Sequence, residues 1–290
     1  MARLACAVIA NEKHLALLRA AYGERILDIE HLSGGLHGRC YRVRGADFDH
    51  AVRMPAPDAG EYQLDAADEH GVLARVAAGG LAPAAVETGV SFGLVATEYL
   101  EGARTWSPKD ARQIENIDYL AVRLKALHAL ELDVLPYAGD AAAESYTRLA
   151  AERIGLSTEQ SGWRDELLRL ARAYVARFRP ECPCHNDLVA SNVLDDGEIW
   201  LIDFEYAALS SPILDLAGLA GFNHFDTDQR ARLIGAYYGH YDVPFSADEL
   251  HDAIRLVRLL SYFWALSHGG AGKSNEDLAI FADAMAAMLR

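Results

Sequence analysis

Lysine is scarce in this chain: Lys13, Lys109, Lys125 and Lys273 are the only four in 290 residues, against 42 acidic residues and a net charge of −15. Phosphate backbones are neutralised by clustered Lys and Arg, so a nucleic-acid partner is excluded. Cysteine is scarce too. Cys6, Cys40, Cys182 and Cys184 are too few for a secreted disulfide scaffold. Cys182-Pro-Cys184, without a second pair or a set of His ligands nearby, makes a poor zinc motif, so the cysteines are expected to be reduced thiols packed around the loop that starts at His185. No apolar run approaches the roughly 18 residues of a membrane span. The faintly signal-like start runs into Glu12 and Lys13 without a cleavage pattern, so a cytoplasmic protein with no membrane partner is expected, a monomer or homodimer. Hydrophobic residues at 51% and charged ones at 24% are globular values, and no internal repeat or low-complexity segment is present.

Chemistry-bearing residues are densest between Cys182 and Tyr206: His185-x-Asp187-x4-Asn192, then Ile202-Asp203-Phe204-Glu205. Asn192-Val-Leu and Ile199-Trp-Leu-Ile read as strands, and Asp195-Asp-Gly-Glu between them carries a hairpin signal. With Asp196-Gly197 at the tip, Asn192 falls opposite Leu201, and Asp203 becomes its diagonal neighbour on the same face, roughly 7 Å or less away at Cβ. An amide oxygen and a carboxylate so placed suit one hard divalent cation, which takes oxygen ligands and keeps the rest of its shell for water and phosphate. Asp187 is left for another role. The plain alternative is a surface hairpin with solvated acids.

These residues resemble the kinase pattern in which a catalytic-loop Asp accepts the acceptor hydroxyl's proton while an Asn and a second Asp hold magnesium on ATP. His-Asn-Asp for His-Arg-Asp, and Asp-Phe-Glu for Asp-Phe-Gly, resemble the small-molecule branch of aminoglycoside phosphotransferases and choline/ethanolamine kinases. His185-Asn-Asp-Leu with Leu201-Ile-Asp-Phe-Glu-Tyr206 is most similar to the choline kinase group. The resemblance implies an α+β, two-lobed protein-kinase-like fold. Residues 1–101 would be a nucleotide-binding N-lobe, an antiparallel sheet with a helix. Residues 102–290 would be a larger, mainly helical C-lobe with the catalytic loop and acceptor pocket. It also implies ATP and Mg²⁺, with Asp187 and His185 in catalysis and Asn192 and Asp203 on the metal. In the family an Asp at the place of Asp215 braces the catalytic loop, so Asp215 is expected to be structural.

The pattern along the chain agrees, strands first and helices later. A short helix over 11–22 ends at Gly23, and two strand-like pieces flank Ser33-Gly34-Gly35-Leu36-His37-Gly38, whose glycines let backbone N–H groups approach phosphates. In the strand His50-Ala-Val-Arg53-Met, a kinase would carry lysine. No lysine lies between 13 and 109, so Arg53 is the candidate cation, and its fork binds phosphate bidentately. A helix over 61–78, stopped by Gly79-Gly80, carries Glu69, which resembles the glutamate that orients the strand cation; Glu61, Asp65 and Asp68 are rivals. The strand from Phe92 to Gly102 resembles the hinge, with backbone groups from Glu98 to Leu100 on adenine. Ser107-Pro108 open a helix that continues through Leu130, and further helices are expected over 141–155, 162–179, 226–239, 247–268 and 275–289. Gly269-Gly-Ala-Gly-Lys-Ser274 mimics a phosphate loop, but Ser267 stands where its first glycine is needed.

Leu259-Leu-Ser-Tyr-Phe-Trp264-Ala-Leu-Ser267 resembles the aromatic stretch with which choline kinases face a quaternary ammonium, an interaction worth roughly 0.5–2 kcal/mol per ring. Ser267 replaces the second tryptophan, which leaves room for a primary amine or a bulkier amine alcohol. Trp264 reads equally as helix core. Tyr206 and Phe222 are candidate companions, and Glu205, two residues beyond Asp203 on the same strand face, could meet a second metal or an ammonium. The expected activity is ATP-dependent phosphorylation of a small cationic alcohol. Aminoglycoside or thiamine kinases and a non-catalytic nucleotide-binding regulator are the alternatives.

Overall fold

The computed structural model describes residues 12–32, 39–55, 66–269 and 274–290. The phosphate-loop candidates Ser33, Gly34, Gly35 and Gly38 lie outside them, as do Cys6, Glu61 and Asp65. In chain order the elements are α1 (Glu12–Tyr22), β1 (Asp28–Leu32), β2 (Cys40–Arg44), β3 (Asp49–Arg53), α2 (Ala66–Ala78), β4 (Ala85–Val86), β5 (Val95–Glu98), β6 (Arg104–Thr105) and α3 (Pro108–Ala111). There follow α4 (Ile114–His128), α5 (Gly139–Ile154), α6 (Thr158–Arg177), β7 (Cys182–Cys184), β8 (Val193–Asp195), β9 (Ile199–Leu201), β10 (Ala208–Ser210), α7 (Ile213–Phe222), α8 (Thr227–Tyr238), α9 (Ala247–His268) and α10 (Ser274–Leu289). They form two compact units, one within Met1–Thr105 with Ser191–Ala207, the other Trp106–Ala190 with Ala208–Arg290.

The first unit is built on an antiparallel sheet in the order β1-β2-β3-β5-β4. Period-two alternation in β3 buries His50 and Val52 with Tyr41 and Val43 of β2, beside Leu18 and Tyr22 of α1. Arg53, odd in the same register, leaves by the opposite face. The strands β6-β8-β9 form a second, three-stranded sheet in this unit.

The hairpin register differs by one residue from the sequence expectation. Val193 pairs with Leu201 and Asp195 with Ile199, leaving Asp196, Gly197 and Glu198 as a three-residue loop. Two aspartates hold it open: Asp195 Oδ1 accepts the Gly197 N–H (3.0 Å), and Asp196 Oδ1 accepts Glu198 N–H (3.1 Å) and Trp200 Nε1–H (3.0 Å). Gly197 supplies φ +105°, open to glycine without a Cβ clash. Asn192 therefore stands opposite Ile202, whose N–H donates to the Asn192 carbonyl at 3.0 Å. Asp203 is not a strand residue but a left-handed one (φ +68°) just past β9, so Glu205 does not share a strand face with it.

The second unit is helical apart from the β7-β10 pair. Ser107 and Ser246 open helices as their sequence signals imply, and Ser157 and Asp226 do the same for α6 and α8, α6 starting at Thr158, ahead of the expected 162; each of the four caps through a reciprocal bond with the residue three places on. The helix expected from Ser107 through Leu130 is two helices, because Gln113 takes an extended backbone and the Asn116 side chain donates to the Asp110 carbonyl (2.9 Å) across the break. Helix α9 packs against α5, α6, α7 and α10. Helix α7 has no counterpart among the sequence expectations; all residues from Ile213 to Gly221 are buried, Asp215 included.

Candidate active site

The chemistry-bearing residues fall into two groups, one in each unit. In the first, Arg53 at the end of β3 meets three carboxylates. It is ion-paired through Nη2 with Glu69 of α2, through Nη1 with Glu205 at 3.0 Å, and through Nε with Asp203 Oδ1 at 3.6 Å. Of the rival acids on α2, Asp68 is exposed and Glu69 is the buried one. Burial opposes the Arg53 charge, but Glu69, then Asp203 and Glu205, outweigh it and raise the guanidinium pKa further. Glu69 is shifted upward because burial outweighs the pull of Arg53. Cys40, opposite Arg53 in the β2–β3 register, has its thiol pushed up to about 11 by burial and then by Asp203. It therefore belongs to this cluster, where the sequence implies a place around the loop that starts at His185.

Three carboxylates against one guanidinium leave a net charge of −2, the charge one divalent cation cancels. Asp203 Oδ1 is buried and accepts no hydrogen bond among the described residues. Asn192, buried, stands at the mouth of the same hairpin. This donor set, carboxylate and amide oxygen, fits a hard oxygen-seeking ion such as Mg²⁺. At Glu98 and Tyr99 the backbone N–H groups are taken by the carbonyls of Ala84 and Asp49 (2.9 Å each), which narrows a base contact there to Leu100 and to carbonyl oxygens.

In the second unit Asp215 organises the loop after β7. Its Oδ2 accepts the His185 backbone N–H at 2.8 Å and its Oδ1 that of Asn186 at 2.7 Å, while His128 Nε2 lies 3.0 Å from Oδ2. Burial opposes the Asp215 charge, but His128 and the loop amides win and hold its pKa below the usual carboxylate range. Asn186, with φ +61°, is held left-handed between His185, which is buried, and Asp187, which is half-buried. His128 closes α4 and was not foreseen as a site residue: nothing in the sequence links the end of one helix to an acid in another. Its second nitrogen, Nδ1, is 2.7 Å from the Tyr237 hydroxyl of α8.

Trp264 on α9 is half-buried, with His268 tilted against its ring (centroids 4.7 Å) and Phe281 of α10 edge-on at 6.1 Å. Ser267 is fully buried, its hydroxyl donating to the Trp264 carbonyl at 2.8 Å. Tyr206 is half-buried in the first unit. Residues 270–273 of the phosphate-loop lookalike lie outside the described residues, between α9 and α10.

Residues 28–256 match the model of the phosphotransferase enzyme family. The chain belongs to this family. Over 56 residues the phosphotransferase is 38% identical to LicA of Haemophilus influenzae, a stretch of 19% of this chain and about a fifth (21%) of that protein. Its fold is similar to a choline kinase LicA from Streptococcus pneumoniae, with a TM-score of 0.77 at 20% identity over 96% of this chain and 99% of that one. It is equally similar to a choline/ethanolamine kinase family protein from Mesorhizobium loti, with a TM-score of 0.77 at 22% identity over 96% and 94% of the two chains. The aminoglycoside phosphotransferase APH(2'')-Ib is further off, at a TM-score of 0.59 and 18% identity over 97% and 99%. The phosphotransferase thus has the α+β, protein-kinase-like fold that its sequence implied. Among the described residues no helix is long and apolar enough to cross a membrane.

Proposed function

We propose that this phosphotransferase moves the γ-phosphoryl group of ATP to the hydroxyl of a small, cationic amino-alcohol of the choline or ethanolamine kind. The observation that carries the reading is the Arg53 cluster, in which the candidate phosphate-binding cation is oriented by Glu69 and lies against Asp203, the second acid of the His185-to-Glu205 motif. The fold shared with choline and ethanolamine kinases supports the acceptor class, as do the net charge of −15 and the half-buried Trp264.

In this reading Asp187 positions the acceptor hydroxyl and takes its proton as the oxygen attacks phosphorus. His185 fixes the loop that carries it. Arg53 holds phosphate oxygens through its fork; Ser33, Gly34, Gly35 and Gly38, candidates for the rest of the phosphate cradle, lie outside the described residues. Asn192 and Asp203 would hold Mg²⁺, which when bound supplies neutralisation of phosphate charge. The chain's own residues contribute positioning and charge and form no covalent intermediate. Glu98 to Leu100 would receive the adenine, and Trp264, with Tyr206 and Glu205 as further candidates, the ammonium. Protein with this job works where ATP is abundant, in the cytoplasm.

A coupled ADP-release screen over choline, ethanolamine, thiamine, aminoglycosides and small sugars tests the proposal. Acceptor-stimulated turnover with choline or ethanolamine is expected. Turnover only with an aminoglycoside or thiamine moves the acceptor class, and none across the panel leaves a nucleotide-binding regulator. Asp187→Asn is expected to abolish turnover while Mg-ATP still binds; a loss of nucleotide binding as large as that in Asp203→Ala would refute the separate roles.

A further inference from the structure

The second unit holds a group of soft ligands that the proposed reaction does not use. Cys182 and Cys184 stand two residues apart on β7, so both thiols leave by one face, with Sγ atoms 3.7 Å apart. His128, at the end of α4, completes the group: one of its ring nitrogens and the two sulfurs all lie within 4.8 Å of one another. In the sequence this Cys-x-Cys pair has no histidine ligand nearby; His128 comes from a helix far off in the chain.

The environment fixes which histidine atom is available. Asp215 accepts two backbone N–H groups, and its Oδ2 also lies 3.0 Å from His128 Nε2. Nε2 is thus engaged by Asp215, and Nδ1, 2.7 Å from the Tyr237 hydroxyl, is the nitrogen left for a ligand. A carboxylate on one imidazole nitrogen with the other turned to a ligand is the arrangement that orients metal-binding histidines and raises their basicity. Two thiolates on one tetrahedral ion, each about 2.3 Å from it, stand about 3.8 Å apart. The observed 3.7 Å already matches that edge, whereas a disulfide needs sulfurs about 2.05 Å apart.

We infer that Cys182, Cys184 and His128 Nδ1 form a binding site for one thiophilic metal ion, Zn²⁺ being the representative, separate from the oxygen ligands proposed for Mg²⁺. Thiolate and imidazole select such an ion over Mg²⁺. Binding replaces the Tyr237 hydroxyl at Nδ1 with the metal and releases the two thiol protons to solvent. It also ties the ion to the catalytic loop, since His128 and the His185 amide share Asp215 Oδ2.

The test uses the full chain, reduced and freed of metal, and reads binding and not turnover, so it stands whether or not the acceptor assignment does. Added Co²⁺ is expected to give one equivalent of a sulfur-to-cobalt charge-transfer band with tetrahedral visible bands, displaced by Zn²⁺ and unaffected by excess Mg²⁺. Cys182→Ser and Cys184→Ser are each expected to weaken Zn²⁺ binding at least tenfold in competition with a chromophoric chelator. The Cys6→Ser/Cys40→Ser double variant is expected to bind as wild type. Circular dichroism of the serine variants guards against misfolding. A protein with no such band, a band that survives Cys182→Ser but disappears in Cys6→Ser/Cys40→Ser, or mass spectra showing a Cys182–Cys184 disulfide that forms despite added Zn²⁺, would overturn the site.

Discussion

Replacing Arg53 by methionine keeps much of its apolar stem and removes its charge, stranding three carboxylates together. Two of them are nearly out of water: the Glu69 and Glu205 side chains are 7% and 8% exposed. Removing one partner of a buried ion pair costs about 3–5 kcal/mol, because the remaining charge loses its compensation in a poorly solvated place. Glu69→Gln is a milder change: Arg53 keeps Glu205 at 3.0 Å and Asp203 at 3.6 Å, so the loss is that of one charge-assisted bond, about 1.5–3 kcal/mol. The asymmetry follows from the geometry, one cation serving three acids. Burial already pushes the Glu69 pKa up, and without Arg53 nothing pulls it back. In Arg53→Met the native state therefore binds protons more readily than the unfolded state, so its deficit shrinks as pH falls from 8 towards 5.5 and widens as pH rises. Native-state hydrogen exchange at the β3 and α2 amides reads the opening free energy of this unit alone. If Arg53→Met costs no more than Glu69→Gln, or if its deficit does not change with pH, the charge argument is wrong.

Asp215→Asn leaves at least one of three donors facing an amide N–H₂. It is expected to cost about 2–4 kcal/mol and to speed exchange at the His185 and Asn186 amides, measured by urea unfolding and by exchange; an unchanged loop would show that Asp215 is not its brace. Burial lowers the pKa of His50 despite Glu98 and Asp49. The unfolded chain thus takes up this proton first, stability present above about pH 6.5 is lost below it, and His50→Gln should flatten the decline in urea midpoint between pH 7.5 and 5.5. Gly197→Ala must adopt φ +105° and should cost about 1–3 kcal/mol by thermal unfolding, with little effect on the core.

The residues that could be read from the sequence are those whose meaning is local. Caps such as Ser246 with Glu249 mark helix starts because the bond they make spans three residues, and β3 announces its faces by alternation. The family was legible because the residues that carry the resemblance, Asp187, Asn192 and Asp203 among them, are close in the chain. Helix α7 was missed for the opposite reason: it is apolar on all sides, so no 3.6-residue period distinguishes it. The hairpin register slipped by one because Asp195 and Asp196 side chains fold back on the loop, a choice that the Asp-Gly pair alone does not encode. His128 and Glu205 acquire their roles only through tertiary contacts, on Asp215 and Arg53 respectively.

The first unit is assembled from two separate lengths of polypeptide, and Glu205 follows its partner Arg53 by 152 positions. A ribosome adding 5–20 residues per second needs roughly 8–30 s to deliver it. During that interval the emerging sheet holds its guanidinium with α2 alone, short of β8 and β9. The newborn amino-terminal half is consequently an unfinished object for many seconds, and a polypeptide released before residue 203 would lack two of the three carboxylates that meet Arg53.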